Sequence, residues 1–481
     1  MPRMTSLVWL RRDLRLHDHA ALATALAQPD VVQPIFIFDT EILARFYNKR
    51  DRRLTFLAET LCDIDAKLRA RGGKLLVLHG RATDIVPKLA TALKASAIFS
   101  AEDFEPAARA RDAAVKLALP HGARFVQLLD QLMRAPQAML KSDGTPYKVF
   151  TPFYKVWRAG IGPSDLAQYE VHDKGSYADG EACAKAALAA GIKVLKPEDG
   201  PAKLLAQVGY EYSKDALWRV DDVGDRLRRF IEERMGAYPT ARDMLPIVGT
   251  SQLSPYLRFG LVSIRECMRA AIEAGGGEKW ISELGWREFY ASILFHFPHV
   301  LTQEFSEQYR HGAIPWSADE AHAEALFTGR TGYPIVDAAV RELLETGYMH
   351  NRARMVVASF ATKDLLLDWR LGEEFFAQYL MDYDLASNNG GWQWAASTGT
   401  DAAPYFRVFN PVLQSKRFDP EGEYIRRYVP ELKELSSADI HAPWLSPLTK
   451  PASYPMPIVD HAAAKDKVVA LFKAAGLKTK A

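Results

Sequence analysis

Cysteine is scarce: Cys62, Cys183 and Cys267 are the only three in 481 residues, and they lie far apart without paired spacing. That argues against a disulfide framework and a zinc site, and points to a reducing compartment. No apolar run approaches the length of about 20 residues that spans a bilayer. The first apolar run is very short and is followed by charged Arg11, Arg12, Asp13 and Arg15, so no signal peptide is expected. Charge of one sign is missing too. The formal net charge is +2, which excludes a generally basic nucleic-acid coat and leaves room only for a local basic patch. No G-x-G-x-x-G follows the first strand-like run, which argues against a dinucleotide held in the usual way. The expectation is a cytoplasmic protein with no membrane segment.

What is present begins with length and aromatic content. A chain of 481 residues suggests two or more domains. Aromatics make up 11% with ten tryptophans, rich enough for electron transfer or base stacking, and equally for a large core. Between residues 6 and 130 the runs SLVWL, VVQPIFIFD, KLLVLHG, AIFSAED and RFVQLLD read as strands separated by helical patterns. That alternation predicts a doubly wound, mostly parallel α/β sheet over residues 1–131, with ligands expected at the carboxyl ends of its strands. Residues 132–200 read as a connector, with turn signals and aromatics in SDGTPYKVFTPFYKVWR (142–158). From 201 to 481 the pattern is all-α, with helices expected around 222–236, 261–275, 279–298, 334–347, 349–368 and 372–383.

Three stretches of the helical half carry unusual chemistry. GTSQLSPYLRFG (249–260) sets Thr250, Ser251 and Ser254 before a helical run, either a plain N-cap or a phosphate site. In EKWISELGWREFY (278–290), Glu283, Trp286, Arg287 and Tyr290 share one helical face. That face is too polar for a core stripe and too aromatic for a solvated one; a Glu283–Arg287 ion pair is the competing account. The stretch DYDLASNNGGWQWAASTGTDAAPYFRVFNP (382–411) places Asn388, Asn389, Gly390 and Gly391 in a run expected to break regular structure. Trp392 and Trp394, two apart on a helix, would serve different partners.

This last stretch closely resembles the flavin-contacting segment of the DNA photolyase and cryptochrome family, specifically the microbial class I cyclobutane pyrimidine dimer photolyases. The resemblance extends over about residues 5–470, from the opening WLRRDLRLHDHAAL onward. It implies an N-terminal antenna domain, a C-terminal helical FAD-binding domain, and light-driven splitting of pyrimidine dimers in ultraviolet-damaged DNA by reduced FAD. Tyr238, Thr250, Ser251, Gln252, Leu253 and Ser254 then match the FAD pyrophosphate segment. Trp280, Arg287, Arg354, Asp382, Tyr383, Asp384 and Asn388 match other FAD contacts, with Asn388 beside flavin N5 and Arg354 as charge partner of Asp382. Trp392, Trp369 and Trp316 match a three-tryptophan electron path. Glu283, Trp286, Tyr290, Asn351, Met355 and Trp394 match the lesion pocket, and Arg242, Arg352, Arg407 and Gln414 match DNA-facing positions.

The resemblance also separates related activities. Relatives that repair the (6-4) photoproduct, and animal-type cryptochromes, place His where Asn351 stands; Asn cannot carry the charge used there. A cryptochrome-type sensor is further opposed by Asn388, by Met355 and by the lack of a long tail after Lys450. For the antenna, folate-binding relatives carry a Glu where Ala107 stands, whereas deazaflavin-type relatives carry an Asp matching Asp103. A deazaflavin or flavin is therefore favoured over methenyltetrahydrofolate, with an empty site as the alternative. A monomer without metal is expected.

Overall fold

The computed structural model describes residues 4–171, 176–214, 217–446 and 451–478; short parts of the connector and of the stretch around Lys450 lie outside them. The chain divides into two compact units. The first comprises Met1–Met139, Lys155–Glu233 and Ser251–Glu288. The second comprises Leu140–Tyr154, Arg234–Thr250 and Phe289–Ala481.

The first unit is built on a six-stranded sheet in the order β5-β4-β1-β2-β3-β6. The strands are β1 (Thr5–Leu10), β2 (Val31–Asp39), β3 (Leu76–Gly80), β4 (Ala95–Ala101), β5 (Arg124–Leu128) and β6 (Lys193–Leu195). β1 to β5 run parallel and β6 joins antiparallel to β3. Each run expected from the sequence became a strand, because the alternating helices supply the crossovers that parallel pairing needs. β1 is buried from Ser6 to Leu10, as a central parallel strand covered on both faces should be. β6 and the helix Gly180–Ala189 come from the stretch expected to be a connector. The strand is only three residues long, below what periodicity can register.

The segment 251–288 belongs to this unit. Gly260 has φ +75°, and a Cβ there would fall 2.0 Å from the Arg12 carbonyl oxygen, so only glycine permits the approach. Leu14 N–H donates to the Phe259 carbonyl at 3.1 Å beside it. Below, Arg265 and Arg15 share the buried carboxylate of Asp130, and Arg265 and Arg269 bind Asp18.

The second unit is helical around one large core that includes Val336, Val340, Leu343, Val357, Phe360, Trp369, Phe376 and Trp392. Its main helices are Pro334–Thr346, Asn351–Ser359, Trp369–Tyr379, Leu385–Ala396, Pro411–Phe418 and His461–Lys478. The helix expected over 349–368 is shorter. It passes at Phe360–Asp364 into a π turn, where Thr362 Oγ1 donates to Ala358, Lys363 Nζ to Ala396 and Asp364 pairs with His461. The segment expected over 222–236 likewise changes to a π turn at Phe230–Arg234.

The expected break at Asn388–Gly391 does not occur. All four residues lie inside the Leu385–Ala396 helix, which Asp384 caps by accepting from Ser387 N–H at 3.0 Å. Gly390 instead serves close packing: a Cβ on it would lie 2.1 Å from a ring carbon of Tyr290.

Candidate functional site

The helix Glu278–His296 carries the first group of expected site residues. Ile281, Leu284, Glu288 and Phe289 are buried, while Glu283, Trp286, Arg287 and Tyr290 are all half-buried. A polar and aromatic stripe neither sunk in the core nor fully solvated is what a docking face looks like. In the first unit, Glu283 pairs with Lys279 at 3.3 Å, and Arg287 donates to the Gln131 carbonyl at 2.6 Å. The neighbouring loop is clamped by Glu288, whose carboxylate accepts from Met133 N–H, from Arg134 N–H and from the Trp157 indole. Burial pushes that carboxyl up to about 7 despite these donors. Trp280 is buried, its ring centroid 4.8 Å from that of Phe230.

In the same unit, Gln252 adopts φ +53° and accepts from Arg226 at 3.1 Å. Leu253 is buried, Ser251 is half-buried and Ser254 is exposed. The short helix Ser254–Phe259 has no side-chain cap, which leaves first-turn amides and hydroxyls as an anion-ready donor set.

In the second unit, Tyr238 is buried under the Arg242 guanidinium, 5.5 Å from its ring centroid. Thr250 interacts with the Tyr348 hydroxyl, and burial pushes that phenol up to about 12. Arg354 donates to both oxygens of buried Asp382 at 3.0 and 2.8 Å and to the Met349 carbonyl, as charge pairing predicted. Tyr383 is half-buried against the core. The Asn388 amide nitrogen donates to the Glu373 carbonyl at 3.0 Å and to its carboxyl at 3.1 Å. Burial raises that carboxyl to about 7. A neutral amide is thus fixed in orientation by a group that is itself half neutral near pH 7.

Of the three expected tryptophans, Trp392 and Trp369 lie in one buried core cluster and Trp316 packs against it. Trp392 is 2% exposed and packs on the Trp369–Tyr379 helix, where Gly372 leaves room for its ring. Trp369 and Trp316 both direct their indole N–H groups at one oxygen of Glu304, at 3.3 and 3.1 Å. Asn351 is exposed and lies 3.8 Å from the Met355 sulfur, on one helical face. Arg352 does not join them: its guanidinium is held by Asp243 at 3.0 Å and lies over the Phe418 ring. Trp394 is half-buried against Phe409, Arg407 is exposed, and Gln414 is half-buried.

In the first unit, Asp103 lies two residues beyond β4, while Arg11 and Arg12 follow β1 directly. β1 and β4 are neighbours, and chain order reverses between them, so this is the topological switch point of the sheet. Burial would raise the Asp103 carboxyl, but Arg12, Arg11 and Arg111 outweigh it and hold it low. Arg11 and Arg111 both lie over the Trp9 ring, at 4.8 and 4.9 Å.

Comparison with known proteins decides the family. The model of the FAD binding domain of DNA photolyase matches residues 280–474, and the DNA photolyase model matches residues 6–169. A deoxyribodipyrimidine photo-lyase of Alkalihalophilus pseudofirmus is 38% identical, covering 97% of each chain. The chain belongs to the DNA photolyase family. Among solved photolyases, a bacterial class III enzyme from Agrobacterium tumefaciens is 31% identical with a TM-score of 0.82, covering 99% of this chain and 98% of its own. An archaeal photolyase from Sulfolobus tokodaii, solved with two FAD molecules, is 32% identical with a TM-score of 0.82 over 98% and 100%.

The residues present fit FAD: uncapped amides with hydroxyls suit a pyrophosphate, and an orientated amide with a half-buried Arg354 paired to buried Asp382 suits an isoalloxazine. Sequence reasoning missed Glu304 and Glu373. Neither lies in a recognisable motif; each is known only by what it touches through the fold.

Proposed function

We infer that the chain is a deoxyribodipyrimidine photo-lyase that binds ultraviolet-damaged DNA and splits cyclobutane pyrimidine dimers with light. The observation that carries the reading is the half-buried Glu283–Trp286–Tyr290 face, which offers a stacking ring beside a carboxylate. Such a face suits two linked pyrimidines of one strand taken out of the stack, and photolyases are among the enzymes known to flip bases. Bound and reduced, FAD supplies the light-driven electron that opens the cyclobutane ring and then recovers it.

The chain's own residues do the rest. Trp286 packs against the extruded pyrimidines and excludes water, while Glu283 accepts from or donates to their edges. Asn351 and Met355 line the lesion pocket with uncharged groups, joined by Tyr290 and Trp394. Thr250, Ser251, Gln252, Leu253, Ser254 and Tyr238 hold the pyrophosphate; Trp280, Arg287, Tyr383 and Asp384 enclose the remainder of the cofactor. Arg354 and Asp382 fix each other beside the flavin ring. Asn388 puts no repelling charge near a reduced, anionic flavin. Arg242, Arg352, Arg407 and Gln414 face the DNA, with exposed Arg407 the most available to a phosphate. Trp392, Trp369 and Trp316 carry electrons to restore the reduced state.

The second chromophore is a deazaflavin or flavin at the sheet switch point, with Asp103 as a contact. Support comes from Trp9 between two guanidinium groups there, and from the relative that carries a second FAD. The enzyme works as a cytoplasmic monomer; no helix among the described residues is long and apolar enough to cross a membrane.

The test is repair itself. Anaerobic reduced protein is mixed with an oligonucleotide carrying one thymine dimer, illuminated with blue light, and followed by the return of thymine absorbance against a dark control. Light-dependent restoration is expected. A yellow, FAD-holding protein that restores nothing would overturn the reading.

A further inference from the structure

The tryptophans of the expected electron path differ sharply in what their indole N–H groups meet. Trp392 Nε1 is buried with no hydrogen-bond partner among the described residues. Trp369 and Trp316 instead share the Oε1 of Glu304, at 3.3 and 3.1 Å. Glu304 is 5% exposed. Its segment is pinned to the Trp392 helix, because Gln393 accepts from Phe305 N–H and donates to the Val300 and Gln303 carbonyls. Asn389 donates to Val300 as well. Arg310 donates to the Glu304 carbonyl at 2.8 Å from the other side. The carboxylate is therefore held in place independently of the indoles it serves.

One cation stands against it. Arg370 lies 4.5 Å above the Trp369 ring and reaches the same Glu304 oxygen at 3.2 Å. Its guanidinium is also bound to Asp368 at 3.0 Å. Of the other cations nearby, Arg310 is held on the Glu304 and Phe305 carbonyls, and Lys363 faces the Phe472 ring at 3.7 Å, which in turn abuts Trp316.

A positive charge on an indole is favoured by a carboxylate at its N–H and opposed by a guanidinium over its face. Trp392 has no such acceptor. Trp369 has the carboxylate and the guanidinium. Trp316 has the carboxylate, with no guanidinium over its ring among the described residues, and is partly open to water. Stability for an electron vacancy thus rises outward in that order.

We propose that Glu304 is the charge-compensating residue of the tryptophan path, drawing the vacancy from Trp392 to Trp316 and holding it there. This rests on the reading of the three tryptophans as an electron path. In the step concerned, Trp392 gives one electron to the light-excited oxidised flavin, Trp369 refills Trp392, and Trp316 refills Trp369. One electron is gained by the flavin and one is lost by Trp316. No covalent bond forms or breaks, and an added thiol restores Trp316. Glu304 acts through the indoles.

Flash absorption on the full FAD-holding chain tests this, with the lifetime of the tryptophan-radical signal as the readout. Glu304→Gln keeps length and an acceptor oxygen but removes the charge. It is expected to shorten the radical lifetime at least tenfold, with Glu304→Asp recovering most of it. Arg370→Gln removes the opposing cation and is expected to lengthen the lifetime, a reversal of sign that a merely structural role would not give. Wild-type lifetimes in both Glu304→Gln and Arg370→Gln would overturn the proposal, as would shortening in both. Trp392→Phe separates the two levels: if it leaves radical formation intact, the electron-path reading itself fails. If it abolishes the signal while the Glu304 and Arg370 variants behave as wild type, only the role of Glu304 fails.

Discussion

Replacing Gly372 by alanine tests how tightly the fold holds Trp392. An ideal Cβ at Gly372 would stand 2.0 Å from Trp392 Cη2, 2.4 Å from Cζ3 and 2.6 Å from Cζ2. Carbon atoms prefer about 3.5–4.0 Å, so the ring must withdraw by more than an ångström. It has little room: Trp392 is 2% exposed and meets Phe376 edge-on at 4.9 Å. Overpacking of this kind costs about 1–3 kcal/mol, and a rigid indole in a filled core belongs near the top of that range. Against this, alanine in a helix interior is favoured over glycine by about 1 kcal/mol. The net expectation is about 2 kcal/mol of destabilisation, read as a lower midpoint in urea unfolding. Gly391→Ala is the matched control. It lies in the same helix as Trp392, and its Cβ would meet nothing within 4 Å, so the propensity gain should show alone as a small rise. A Gly372→Ala midpoint equal to or above wild type would refute the packing argument.

Three further outcomes follow from the same structure. Trp286→Ala is expected to weaken binding to dimer-containing DNA by about 1–3 kcal/mol, the worth of one stacking ring, while FAD stays bound; unchanged affinity in a filter or fluorescence assay would remove Trp286 from the pocket. Arg407→Ala should weaken binding to damaged and undamaged duplexes alike and reduce the slope of log affinity against log salt by about 0.9; a loss confined to damaged DNA would contradict a phosphate contact. Buried Glu342 accepts from the Tyr424 hydroxyl at 2.7 Å, and burial raises its carboxyl to about 7. The folded chain keeps a proton there that the unfolded chain releases near 4.5, so stability falls as pH rises through that window, by about 3 kcal/mol in all. Glu342→Gln should flatten the decline of the unfolding midpoint between pH 5 and 7, and an unchanged slope would assign the decline elsewhere.

The sheet was legible because parallel strands buried on both faces leave continuous apolar runs, and each run from SLVWL to RFVQLLD sits in the sheet. The helical half was legible in outline, less so at its breaks. Nothing in RARMVVASFATKDLL announces a π turn; it is set by what Lys363 and Asp364 find outside their own helix, a carbonyl of Ala396 and the ring of His461. Asn388–Gly391 misled in the opposite direction. Asn-Asn-Gly-Gly has the composition of a turn, yet Gly390 is there because the Tyr290 ring occupies the space of a side chain. Local propensity was overruled by packing.

The net charge of +2 is the point at which composition and structure explain each other. Many arginines that could have made a basic surface are committed inward: Arg11 to Asp112, Arg15 and Arg265 to Asp130, Arg341 to Glu431, and Arg354 to Asp382. They order the fold and add little to any long-range field. Arg407, Lys416 and Arg417 remain exposed on the second unit. On the proposed repair function, a protein so furnished is expected to bind undamaged duplex weakly, since each neutralised phosphate contributes separately to affinity. Discrimination must then come from the uncharged contacts that an extruded dimer alone can make. The half-buried Trp286 and the Asn351–Met355 pair, proposed above to meet the dimer, are of that kind. Weak phosphate binding is therefore a requirement of selectivity here: a larger basic surface would strengthen the hold on undamaged DNA and leave the contacts to the dimer as they are.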